Sequence, residues 1–76
     1  VGNDPELPEY MQITVNGESR QVPDGATAAQ LVELLELTGR RLAMEVNGEI
    51  VPKSLHESRA LDPGDRVEIV HAVGGG

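Results

Sequence analysis

Three groups of residues in this chain are candidates for chemistry. They are the terminal run Gly74-Gly75-Gly76, the histidines His56 and His71, and the carboxylates Asp62 and Asp65. There is no cysteine, so any reactive group offered to a partner must be something other than a thiolate. Glycine costs more backbone entropy to order than other residues and adds no side chain to a core. The tail therefore reads as a strip of bare backbone, mobile over Gly74–Gly76 when free and ending in the Gly76 carboxylate. Lacking a Cβ, a terminal glycine can thread a narrow cleft and be approached from either side. A carboxylate is a poor electrophile until activated. ATP can supply that activation by forming an acyl-adenylate, and a nucleophile can then displace AMP.

The other groups have plainer explanations. His56 is followed by Glu57 and Ser58, but a His-Ser pair needs a third group and an oxyanion site, and adjacency in sequence supplies neither. A solvated surface histidine is expected. Asp62 and Asp65 flank Pro63-Gly64, and turn formation accounts for both. Two histidines and scattered carboxylates have no zinc or calcium spacing. A phosphate-cradling loop needs glycines between a strand and a following helix, and no helix is expected after Gly76. Generic linkers mix glycine with serine over longer runs, whereas this tail directly continues a strand through His71, Ala72 and Val73.

Composition narrows the classes further. The chain has 76 residues, 13 acidic and 6 basic, for a net charge of −7. With no Lys/Arg run, a nucleic-acid backbone is not expected as a partner. No signal peptide or membrane-spanning apolar run is present, and a cytoplasmic location is expected. The only aromatic residue is Tyr10, so the core must be aliphatic. Val1–Tyr10 holds Asn3, Asp4, Pro5, Glu6, Pro8 and Glu9 and lacks periodicity; it reads as a vector-derived leader. Removing those ten of 76 residues leaves a 66-residue domain, Met11–Gly76, and takes Asp4, Glu6 and Glu9 from the charge, so −7 becomes −4. A domain this small buries only about 60% of its unfolded surface.

The elements that must position the tail can be read in order. Met11, Ile13 and Val15 alternate inward, and Asn16-Gly17 is a strong hairpin turn leading to a polar edge strand, Glu18–Val22. Thr27 with Gln30 forms a capping box ahead of a helix. Its stripe is Ala28, Leu31, Leu34 and Leu35, with the three leucines at the core centre and Gly39 as the C-cap. Leu42, Met44 and Val46 alternate inward to a second Asn47-Gly48 hairpin, followed by a short strand, Glu49–Val51. Lys53–Leu61 has room for one helical turn, with Leu55 and Leu61 as anchors. Asp62-Pro63-Gly64-Asp65 suits a type II turn. The last strand, Arg66–His71, puts Val67 and Ile69 inward. The order β-β-α-β-β-β implies an α+β fold with one helix on one face of a mixed sheet. Thr14, Ala43, Glu45, Glu68 and Val70 fall on the open face.

The ending Asp65-Arg-Val-Glu-Ile-Val-His-Ala-Val-Gly-Gly-Gly76 resembles the C-terminus of the ThiS family, the sulfur carriers of thiamine biosynthesis. Leu61-Asp-Pro-Gly-Asp65, Met11-Gln-Ile-Thr-Val-Asn-Gly17 and Met44-Glu-Val-Asn-Gly48 are also similar to that family, over all of Met11–Gly76. The resemblance implies a β-grasp, ubiquitin-like fold of about five strands on one helix. It further implies that a ThiF-type adenylyltransferase, using ATP, adenylates the Gly76 carboxylate. Sulfur from a cysteine desulfurase or other donor then gives a thiocarboxylate, which supplies thiazole synthase. In that picture Gly74 and Gly75 thread the partner's cleft, and Val70, Ala72 and Val73 dock against the partner. The carrier is a co-substrate rather than an enzyme, has no cofactor or metal of its own, and is a monomer when free. The alternatives are the small subunit of molybdopterin synthase, a carrier for cysteine synthesis or tRNA thiolation, a ubiquitin-like protein modifier, and an interaction module with an inert tail.

Overall fold

The structure, a computed structural model, describes residues 9–71. Five strands and one helix follow the expected order: β1 Tyr10–Val15, β2 Glu18–Pro23, α1 Ala28–Leu34, β3 Leu42–Val46, β4 Glu49–Val51 and β5 Arg66–His71. A single 3-10 turn, Lys53–Leu55, lies between β4 and β5. The spatial order of the sheet is β2-β1-β5-β3-β4. The central pair β1 and β5 is parallel, and every other neighbouring pair is antiparallel. The last strand is thus inserted at the middle of the sheet.

Local chemistry explains the turns. Asn16 and Gly17 sit at φ 51° and 85°, and Asn47 and Gly48 at 54° and 85°. Positive φ at both central residues matches the right-handed twist of the flanking strands, which is why Asn-Gly closes both hairpins. Gly64, at φ 84°, takes the position of a type II turn that an ordinary residue resists, and Asp65 N–H donates to the Asp62 carbonyl at 3.1 Å.

Alternation sorts the side chains. Met11, Ile13, Val15, Met44, Val46, Val67 and Ile69 are buried on one face against Ala28 and Leu31 of α1, with Val22, Val51 and Leu61 closing the rim. The helix start is fully satisfied. Gln30 N–H donates to Thr27 Oγ1, and Thr27 N–H donates to Gln30 Oε1. Ala28 and Ala29 N–H donate to the carbonyls of Arg59 and His56. The irregular segment after β4 therefore supplies acceptors that a helix N-terminus lacks.

Five expectations need correction. Leu34 is 54% exposed and Leu35 only half-buried, while Leu31 is fully buried. At about 100° per residue, Leu34 lies roughly 100° off the line of Ala28, Leu31 and Leu35. The helix ends at Leu34 and not near Gly39. Glu36, at φ 62°, takes the left-handed position; Glu36 N–H bonds the Glu33 carbonyl and Leu37 N–H bonds that of Val32. This is a Schellman closure without glycine. Leu55 is exposed, so Leu61 alone anchors its segment. His56 is buried at 9% exposure, with Nε2 donating to the Val51 carbonyl at 3.1 Å. Tyr10, the last residue of the expected leader, opens β1 opposite Pro23, so the strand begins one residue before Met11.

Candidate functional site

The candidate site is the C-terminal end of β5 and the sheet face around it. β5 lies between β1 and β3, so the segment leading to the terminal glycines is held on both sides. The two hairpin asparagines reinforce it. Asn16 Nδ2 donates to the Ile69 carbonyl at 3.1 Å, and Ile69 N–H donates to Asn16 Oδ1 at 2.8 Å. On the other side, Arg66 N–H donates to Asn47 Oδ1 at 2.9 Å. Asn47 Nδ2 donates to Asp65 Oδ1 at 2.9 Å, and Asp65 Oδ2 accepts from Asp62 N–H at 2.8 Å. The buried Asp65 is thereby a clasp between the turn and the second hairpin, and its partners account for its burial.

The open face is apolar near the chain end and acidic further back. Val70 is 60% exposed and stands opposite the exposed Ala43. Glu68 stands opposite Glu45, which in turn faces the exposed Ile50 on β4. Like charges directly opposite each other across a strand pair disfavour the isolated sheet. Arg66, two residues from Glu68, shares this face by alternation. Of the sequence-derived site residues, Val70 lies exposed on the open face of the sheet. Ala72, Val73, Gly74, Gly75 and Gly76 lie outside the described residues.

The remaining candidates are structurally occupied. His56 Nε2 is tied to a backbone carbonyl, and the Ser58 hydroxyl donates to the Leu55 carbonyl at 3.3 Å, so the pair forms no nucleophile and base. Among the described residues no group of three or more His, Asp or Glu is placed to hold a metal. The clamps by Asn16 and Asn47 are the residue roles the sequence reading missed. Their Asn-Gly context announces a turn and carries no sign of a bond to a strand 53 or 19 residues away.

A helix on one face of a mixed five-stranded sheet, with β5 parallel to β1, defines a β-grasp, ubiquitin-like fold. A model of the ThiS family matches residues 9–76. The chain belongs to the ThiS family, sulfur carriers of thiamine biosynthesis. The sulfur carrier protein ThiS of Escherichia coli is 29% identical over 66 residues, covering 87% of this chain and 100% of that one. The crystal structure of a thiamine biosynthesis protein (ThiS) from Geobacter metallireducens superposes with a TM-score of 0.76 at 28% identity, covering 87% of this chain and all of the other. A thiazole synthase from Paramagnetospirillum magneticum is 41% identical over 66 residues, covering 87% of this chain. The chain spans only 20% of that thiazole synthase.

Proposed function

We propose that this chain carries sulfur on its C-terminal glycine for thiazole formation, as a protein co-substrate and not as an enzyme. The Gly76 carboxylate attacks the α-phosphate of ATP within a ThiF-type adenylyltransferase, releasing pyrophosphate and forming an acyl-adenylate. Sulfide then displaces AMP and leaves a thiocarboxylate directly. Where a cysteine desulfurase supplies a persulfide instead, its terminal sulfur displaces AMP to give an acyl disulfide, and a thiol cleaves the S–S bond to release the thiocarboxylate. Thiazole synthase receives that sulfur. The observation that carries this reading is the family match, which runs through the glycine tail to residue 76.

The geometry supports the same assignment. A strand clamped on both sides gives the tail a fixed origin, and the exposed Val70 and Ala43 offer an apolar docking point beside it. In this reading Val70, Ala72 and Val73 contact the partner, and Gly74 and Gly75 pass through its cleft. A cationic group on the partner, placed between Glu45 and Glu68, relieves their mutual repulsion on binding. The match to a segment of a thiazole synthase supports that enzyme as the acceptor. No helix among the described residues is long and apolar enough to cross a membrane. In this reading the chemistry runs in the cytoplasm, where ATP is available.

Intact-mass measurement after incubation with the adenylating partner, ATP and a sulfur source tests the proposal. The expected result is a mass rise equal to exchanging one oxygen for sulfur, mapped to Gly76. An unchanged mass with a demonstrably active partner overturns it.

A further inference from the structure

The helix side of the molecule carries a feature that the tail chemistry leaves unused. A groove of about 560 Å³ runs between α1, the connection from α1 to β3, and the segment that begins with the 3-10 turn. Its apolar surface comes from Val32, Leu37 and Leu42, and its rim carries Arg40, Arg41 and Lys53. The chain has six basic residues in all, so half of its cations border this one groove. Glu33 and Glu57 also line it, leaving the groove positive by one charge in a chain of net charge −7. Among the described residues the side-chain hydrogen bond made by a cation is that of Arg59 to the Ala60 carbonyl, so the three rim cations are not committed to such bonds.

His56 adds a polar group to the groove it lines. Its Nε2 lies 3.1 Å from the Val51 carbonyl, which only accepts, so Nε2 donates to it and fixes the ring at the groove wall. The groove thus offers cations for carboxylates and an apolar surface for side chains. A free inorganic anion uses only the first of these.

We infer that this groove is a second docking site, taking an acidic segment of a partner protein that carries carboxylates flanking apolar side chains. It lies on the opposite side of the sheet from Val70 and Ala43. A partner engaging the tail from the open face leaves it accessible.

The test uses the full chain, isotopically labelled, titrated with a synthetic peptide in which two leucines are flanked on each side by Asp and Glu. Its counterpart has Asn and Gln in place of every acid. Saturable amide shifts at Val32, Leu37, Leu42 and His56, weakening as salt is raised, are expected for the acidic peptide. The amide peptide, and the Arg40→Ser/Arg41→Ser variant, are expected to bind about tenfold more weakly. All three rim cations are exposed, so the variants should keep the parent melting temperature, and Lys53→Ser gives an independent second reading. Equal binding of both peptides, shifts confined to Ala43 and Val70, or the same shifts with inorganic phosphate alone would each overturn the inference. This readout is independent of sulfur transfer.

Discussion

The Asn16 carboxamide exchanges two hydrogen bonds with the backbone of Ile69, donating to its carbonyl at 3.1 Å and accepting from its N–H at 2.8 Å. Backbone pairing between β1 and β5 reaches Val15 opposite Val67, and Asn16 N–H donates to the Val67 carbonyl. Beyond that point β1 turns away into its hairpin. The side-chain amide takes the place of a peptide unit and extends the parallel ladder toward the chain end.

Replacing Asn16 by glycine preserves the left-handed turn but removes the clamp. A loss of about 1–3 kcal/mol in unfolding free energy is expected, since Ile69 loses both backbone partners in a partly buried setting. Urea denaturation measures the loss, and amide exchange at Ile69 should quicken in parallel. An unchanged midpoint with unchanged Ile69 protection would show that the clamp contributes nothing.

Asp65→Asn keeps the shape but converts one acceptor into a donor. Asp65 accepts from both Asn47 Nδ2 and Asp62 N–H, so the amide group must face a donor at one end. A cost of about 1–3 kcal/mol is expected for that mismatch, read as a lowered melting temperature.

Leu31 and Leu34 separate the real helix face from the one the leucine spacing implies. Leu31→Ala should cost about 2–5 kcal/mol because it opens a cavity in a fully buried site. Leu34→Ala, at a position 54% exposed, should stay within about 1 kcal/mol. Comparable losses in chemical denaturation would contradict the observed helix orientation.

Glu36→Gly should stabilise the protein. Glu36 holds φ 62° to close the helix, a conformation that disfavours residues with a Cβ. A gain of about 0.5–1 kcal/mol is expected, offset in part by the greater freedom of glycine in the unfolded chain. A fall in melting temperature would show that the Glu36 side chain makes a larger contribution than its backbone strain costs.

Val70→Asp tests the docking face without disturbing the core. The side chain is exposed, so folding should be retained, while a third carboxylate joins Glu45 and Glu68. Under the proposed sulfur transfer, thiocarboxylate formation with the adenylating partner should fall about tenfold or more in kcat/KM, mainly through KM. Wild-type kinetics would remove Val70 from the interface.

Much of the architecture is legible because its signals are local. Asn16-Gly17 and Asn47-Gly48 need only their own backbone preferences to form hairpins, and Thr27 with Gln30 needs only one helical turn to close a capping box. Alternation at Met11, Ile13 and Val15, and again at Val67 and Ile69, fixes which face meets the helix. The helix end was less legible. Gly39 is the customary terminator, but the closure at Glu36 was decided by where Leu35 and Leu37 could pack against the sheet.

The sequence by itself determined the element order, the inward faces of the strands and the family. These follow from period, turn chemistry and a run of residues next to one another in the chain. The tertiary structure decided the rest: β5 inserted between β1 and β3, Asn16 and Asn47 turned from turn residues into clamps, His56 buried against Val51 and facing a cationic groove. The reason is distance along the chain. A bond between Asn16 and Ile69 joins residues 53 positions apart, and no local preference at either one specifies the other.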